Sequence, residues 1–229
     1  MDAVDATIIV PVLNRYDLLD RLVPTIGRAR NLIIIDNGDG LTDDVISFWM
    51  YDGHLKGVDR AYLYRMPTNL GVAASWNLGI KMTPHSGAWL LVNSDAWFEP
   101  GAYDHFIDEA APDRLLLGGT PPWCCVAIGS EVIRSVGLFC ERFYPAYMED
   151  VDYERRARIL GVDVQRSTAR IGHDNSSTIA ADPKIAAKNR TTHSANALFY
   201  EYRWANADAN GLPPVHDWNL ETRLRNDWG

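Results

Sequence analysis

The chain has 229 residues, which suits one domain with a modest appendage rather than two full domains. Its 47% apolar and 23% charged residues exclude a disordered or fibrous chain, and 22 Lys+Arg against 30 Asp+Glu (formal charge −8) argue against a broad phosphate-backbone binder while leaving a local basic patch open. No apolar run approaches the roughly 18–20 residues that span a bilayer. The N-terminus carries Asp2 and Asp5 with no Lys or Arg before Arg15, unlike a signal peptide, and three cysteines, two of them the neighbours Cys124 and Cys125, make no disulfide framework. The expectation is a reduced, cytoplasmic protein.

The first half alternates short apolar runs with helical spacing, which predicts an α/β class with a mostly parallel sheet. Residues 7–12 read as a buried strand, and 16–26 as a helix through Leu18, Leu19, Leu22, Val23 and Ile26. A second buried strand, 32–35, runs into Asp36-Asn37-Gly38-Asp39-Gly40, a turn signal. Residues 43–51 predict a helix, 61–65 a third strand, 71–82 a small-residue helix, and 89–92 a fourth strand ending in Asn93-Ser94-Asp95. This βαβαβαβ order collects polar residues at the carboxyl ends of the strands, where open α/β sheets bind ligands. The second half holds short strands at 115–119 and 124–128 around Thr120-Pro121-Pro122, and a helix at 130–136 closed by Gly137. A charged helix at 149–160, a strand at 162–165 and a long amphipathic helix at 183–207 follow.

Five places carry chemistry. Asp36 at a strand end suits a nucleobase or ribose, or else bonds its own turn. The stretch from Asn69 through Gly71 to Asn77 and Gly79 opens a helix whose free N–H groups suit a diphosphate, although small residues also pack a helix tightly onto a sheet. Asn93-Ser94-Asp95 offers oxygen ligands to a divalent cation at a strand tip, and the same tripeptide is common in turns. Glu149-Asp150-Val151-Asp152 opens a helix, where acids favour the dipole; the preceding Phe143, Tyr144 and Tyr147 make a sugar-binding base an equal reading. Arg155 and Arg156 read as solvated helix charges more readily than as partners of these acids. His173 is a metal-ligand candidate or a hydrogen-bonded surface histidine. Lys184, Lys188 and Arg190 do not make a nucleic-acid footprint.

Taken in order, these segments resemble a family 2-type glycosyltransferase with the GT-A fold, over roughly residues 6–205. The opening Ile8-Ile9-Val10-Pro11-Val12-Leu13-Asn14-Arg15, then Asp36, then Asn69, Gly71, Asn77 and Gly79, then Asn93-Ser94-Asp95, Glu149-Asp150 and His173 match that family's order. The resemblance implies a GT-A fold, with a mostly parallel central sheet flanked by helices and a C-terminal helical tail. It implies a catalytic domain at 1–180, its nucleotide-sugar half at about 1–95 and its acceptor half at about 96–180, with a helical extension at 181–229. Donor-binding residues would be Pro11, Asn14, Arg15, Asp36, Asn69, Gly71, Asn77, Asn93 and Ser94. Asp95 and His173 would bind Mn²⁺ or Mg²⁺, Asp150 with Glu149 would supply the base, and Trp123, Tyr144 and Tyr147 would stack the acceptor. Asn93 stands where the family's metal motif begins with Asp, as in rhamnosyltransferase-like relatives.

The implied reaction is inverting hexosyl transfer from a nucleoside-diphosphate-sugar to an acceptor hydroxyl. The acceptor stays open between a glycan, a protein, a small molecule and a modified nucleic-acid base, and a homodimer is left open. A non-catalytic nucleotide- or sugar-binding module is the alternative. A sugar-phosphate nucleotidyltransferase is disfavoured because no Gly-rich loop follows the first strand.

Overall fold

The computed structural model describes residues 5–51, 55, 57–174 and 177–214. The end of the expected 181–229 extension, residues 215–229, lies outside the described residues. The strands are β1 (Ala6–Val12), β2 (Ala29–Asp36), β3 (Val58–Arg65), β4 (Ala88–Val92), β5 (Ala96–Phe98), β6 (Arg114–Gly118), β7 (Cys125–Gly129), β8 (Asp163–Arg166) and β9 (Ile171–His173). The helices are α1 (Leu19–Leu22), α2 (Asp43–Tyr51), α3 (Val72–Met82), α4 (Ala102–Glu109), α5 (Ser130–Val136), α6 (Glu149–Ile159), α7 (Ser177–Ala181) and α8 (Pro183–Ala205).

Seven strands form one sheet in the order β3-β2-β1-β4-β7-β6-β8, and β5 pairs with β9 in a separate ribbon. β1, β2, β3 and β4 are mutually parallel, as their βαβ connections require. β7 runs antiparallel to both neighbours, because residues 119–124 are too few for a crossover. This is the mixed α/β, mostly parallel sheet with a C-terminal helix that the sequence predicts.

Strand alternation divides the core between the two faces of the sheet. Ile8, Val10, Val12, Leu32, Ile34, Leu90 and Val92 pack on one face with Leu19, Leu22, Trp49 and Phe106. Ile9, Ile33, Ile35 and Leu91 pack on the other with Trp76, Ile80, Val132, Phe139 and Tyr153. The predicted helix over 16–26 is instead the four-residue α1 between two 3₁₀ turns, Tyr16–Leu18 and Val23–Thr25. Pro24 is the physical reason: it lacks the N–H of a continuing helix, and its ring would meet the carbonyl four residues earlier.

α8 is tied to α6 through Asp152, which is fully buried. Its Oδ2 accepts from Arg156 Nε at 2.9 Å, and its Oδ1 accepts from Arg203 Nε at 2.8 Å and Trp204 Nε1 at 3.1 Å. Arg156 also donates to the carbonyls of Val136 and Leu138. Arg156 is therefore a buried partner of Asp152, only 2% exposed, and not the solvated helix charge expected from sequence. Among the described residues no helix is long and apolar enough to cross a membrane.

Removing one partner from a buried ion cluster leaves the others charged and desolvated, at a cost of about 3–5 kcal/mol. Asp152→Ala is expected to lower unfolding stability by that amount, read from urea denaturation. A loss under about 1 kcal/mol, the value of an exposed pair, would contradict the burial argument.

Candidate active site

The parallel strands β1, β2 and β4 end at one edge of the sheet, and a cavity of about 570 Å³ opens there. Pro11, Val12 and Leu13 line it from the end of β1, and Asn37 from the end of β2. Asn69, Gly71, Val72 and Trp76 come from the start of α3, and Asn93, Ser94 and Asp95 follow β4. Residues 121–124, 145–147, Glu149 and Asp150 form the opposite wall, while His173, Thr178, Ile185, Lys188 and Asn189 complete it. Gly71, at φ 82°, has no room for a side chain: a Cβ would lie 2.7 Å from the Pro145 carbonyl oxygen.

The β5–β9 ribbon brings Asp95 and His173 together, since Ala96 and His173 are register partners. His173 Nε2 lies 2.8 Å from Asp95 Oδ1 and 3.4 Å from Asn93 Nδ2. Ser177 Oγ donates to the second oxygen of Asp95. Burial alone would raise the Asp95 pKa, but the contacts to His173 and Ser177 together outweigh it and hold the carboxyl below its ordinary value. His173 Nδ1 is buried with no hydrogen-bond partner. Among the described residues no group of three His, Cys, Asp or Glu converges, and Asp95 and His173 stand as a pair.

On the opposite wall, Tyr147 and Met148 both take φ 76°, the left-handed region that non-glycine residues enter at a cost of about 1–3 kcal/mol each. α6 begins directly after them, so the kinked backbone sets Glu149 and Asp150 at the cavity. Burial pushes the Glu149 carboxyl well above its ordinary pKa, with the neighbouring Asp150 adding to the shift, and Glu149 Oε2 has no partner. Burial also raises the Asp150 pKa, against the N–H of Val151, which donates to Asp150 Oδ1 at 2.8 Å. Cys124 lines the cavity too, but burial pushes its thiol up to about 11, which makes it a poor nucleophile.

Of the residues singled out from sequence, Pro11, Asn69, Gly71, Asn93, Ser94, Asp95, Trp123, Tyr147, Glu149, Asp150 and His173 line this one cavity. Five others do not. Asp36 is fully buried, and its carboxylate accepts from the Tyr16 hydroxyl and the N–H groups of Gly38 and Leu41. Asn77 is buried and bonded to the backbone of Phe139 and to Glu141. Asn14 donates to the Thr178 carbonyl, and Arg15 pairs with Asp17. Tyr144 stands at the rim, donating to the Asn69 carbonyl, with Lys188 Nζ 5.1 Å from its ring centroid. Sequence reasoning missed Asn37, Trp76, Ile185 and Lys188. Asn37 lay inside the turn signal after β2, and Lys188 inside an amphipathic helix whose partner face was unknown.

The model of a family described as glycosyl transferase family 2 matches residues 7–155. Solved structures share the fold. GalNAc-T7, solved with UDP, GalNAc and Mn²⁺, is similar with a TM-score of 0.62 and 11% identity over 75% of this chain and 44% of its own. The mannosyltransferase PcManGT from Pyrobaculum calidifontis, in complex with GDP-Man and Mn²⁺, gives 0.60 and 11% over 98% of this chain and 69% of its own. TarS 1–349 from S. aureus gives 0.54 and 16% over 80% and 64%. This chain thus spans less than half of GalNAc-T7, and identities this low are a likeness of fold alone. No curated protein matches.

The Glu149 shift has a stability signature. With its pKa raised on folding, the native state binds more protons than the unfolded chain, so stability falls as pH rises through the ordinary glutamate range, near about 4.3. Glu149→Gln lacks this titration. Its melting temperature is expected to gain on the wild type between about pH 4 and pH 7. A difference that does not change with pH would refute the buried, protonated state.

Proposed function

The chain belongs to glycosyl transferase family 2, and from that premise we propose that it is an inverting glycosyltransferase moving a hexose from a nucleoside-diphosphate-sugar to an acceptor hydroxyl. The observation that carries the reading is the single cavity holding Asn69, Gly71, Asn93-Ser94-Asp95 and His173 on one wall and Glu149-Asp150 on the other. The first group faces a nucleotide-sugar, and the second faces the hydroxyl that attacks it. Structures of the same fold hold UDP or GDP-Man with Mn²⁺, which makes those donor classes the first to test.

Asp150 takes the proton of the acceptor hydroxyl. The hydroxyl oxygen forms its bond to the anomeric carbon from the face opposite the diphosphate. The bond from that carbon to the phosphate oxygen breaks, and its electron pair leaves with the nucleoside diphosphate. Glu149, whose pKa burial raises, is suited to donating a hydrogen bond beside the base rather than to acting as a second base. Asp95 and His173 would hold Mn²⁺ or Mg²⁺, a fit supported by their oxygen and imidazole donors, 2.8 Å apart through Nε2 at the cavity. When bound, that ion supplies positive charge to the leaving diphosphate. Lys188 is the one Lys or Arg among the described residues lining the cavity and is placed to share that task. Trp123 and Tyr147 offer ring faces to the acceptor. Asn93 supports a rhamnosyltransferase-like branch, and three buried free cysteines fit a reducing, cytoplasmic setting.

A panel of nucleotide-sugars assayed for hydrolysis and transfer identifies the donor. With it, Asp150→Asn is expected to lower kcat about 10²–10⁴-fold while leaving donor affinity near wild type. Because burial raises the Asp150 pKa and the base must be ionised, the wild-type rate should fall on the acid side with a midpoint above the ordinary aspartate value of about 3.9. An Asp150→Asn variant with near-normal transfer would refute the assignment. Lys188→Met is expected to weaken nucleoside diphosphate binding about tenfold or more while leaving nucleoside binding unchanged, measured by calorimetry.

A further inference from the structure

We propose that Asn196 of α8 is a positioning residue for the transfer step, holding the backbone turn that sets Glu149 and Asp150 at the cavity. The inference rests on the catalytic reading of Asp150 given above. Tyr147 and Met148 are consecutive left-handed residues with side chains, a conformation that persists only where its surroundings impose it. On the α6 side, the N–H of Asp152 donates to the Met148 carbonyl at 2.9 Å, the ordinary opening of a helix. The other restraint comes from outside the local chain. The Asn196 side chain, 5% exposed, donates through Nδ2 to the Ala146 carbonyl at 2.9 Å and to the Tyr147 carbonyl at 3.2 Å. Those are the two peptide groups that enter the kink.

A second contact from the same helix supports the same turn. His193 packs edge-on against the Tyr147 ring, with centroids 5.3 Å apart. About two turns beyond Asn196, Arg203 and Trp204 reach Asp152, just after the base. α8 therefore grips the chain on both sides of Glu149-Asp150, yet Asn196 does not line the cavity. Its effect on chemistry is carried through the turn. A carboxylate displaced by about 1 Å from its hydroxyl can lose about a hundredfold in rate while the nucleotide, bound on the other wall, is undisturbed.

The test uses the full chain, Asn196→Ala, the isosteric Asn196→Asp that removes the donor, and Val58→Ala, which weakens the core at the start of β3, the end of the sheet away from the cavity. Hydrolysis of the nucleotide-sugar found in the panel, calorimetric binding of UDP, GDP, ADP, CDP and dTDP with Mn²⁺, and melting temperature are measured for each. Both Asn196 variants are expected to lose about ten- to a hundredfold in kcat, with diphosphate affinity within about twofold of wild type. Val58→Ala is expected to lose melting temperature while keeping kcat near wild type. Wild-type kcat in Asn196→Asp, or kcat that simply tracks melting temperature across all three variants, overturns the positioning role alone. A wild-type protein that binds none of the five diphosphates and hydrolyses no nucleotide-sugar overturns the catalytic reading, and this inference with it.

Discussion

Asp152 keeps both oxygens out of water, and a charge so placed is tolerable only because Arg156, Arg203 and the Trp204 indole surround it. The three donors come from two helices. Arg156 belongs to α6 itself, while Arg203 and Trp204 belong to the far end of α8. Neither helix can shift without stranding a buried charge. α6 in turn opens with Glu149 and Asp150, so the same cluster that fixes α8 fixes the register of those two acids at the cavity. Arg156 extends the constraint to the carbonyls of Val136 and Leu138, tying the end of α5 to the same point.

Three acids meet the cavity, and their surroundings separate them. Asp95 has His173 and Ser177 against its oxygens and is held below the ordinary range. Glu149 has burial and a like-charged neighbour, and Asp150 chiefly burial, so both are raised. Environments that push carboxyl groups apart in this way assign them different tasks. The lowered Asp95 favours its charged form, while the raised Glu149 and Asp150 favour the neutral form more than ordinary carboxyls do. The formal charge of −8 carries no trace of this division, because it counts the three acids alike.

The part of the fold legible in the sequence is the part made of continuous buried strands. β1, β2 and β4 are apolar on both faces, so their runs stand out without any knowledge of partners. The polar residues that follow them fall at the cavity for the same reason: a parallel sheet brings all its carboxyl ends to one edge. Three-residue strands are too short to show a period, so the β5–β9 ribbon was not legible, nor was its pairing of Asp95 with His173. α4 was likewise assigned to no element. Asp36 and Asn77 show the reverse limit. Their residue types and positions suit ligand contact, but their side chains bond internally, Asp36 to Tyr16 and its own turn and Asn77 to the loop at Phe139 and Glu141. A sequence does not state which polar side chains the fold has already used.

α8 was legible as a helix, but its role was not, because a periodic pattern does not name its partner. At 23 residues and about 1.5 Å per residue it extends roughly 35 Å. α7, just before it, accepts Asn14 from the end of β1 at the Thr178 carbonyl. Lys188 then faces the cavity, Asn196 holds the kink at Tyr147, and Arg203 reaches Asp152. One helix thus meets the cavity near its start and the chain flanking Glu149 and Asp150 further along. Among the described residues, Lys188 of this helix is the one Lys or Arg lining a cavity that also holds Asp95, Glu149 and Asp150. The segment from α7 through α8 therefore bonds to both sides of the cavity, α7 being joined to Asn14 just before α8 begins and Asp152 of α6 being held by Arg203 near its end.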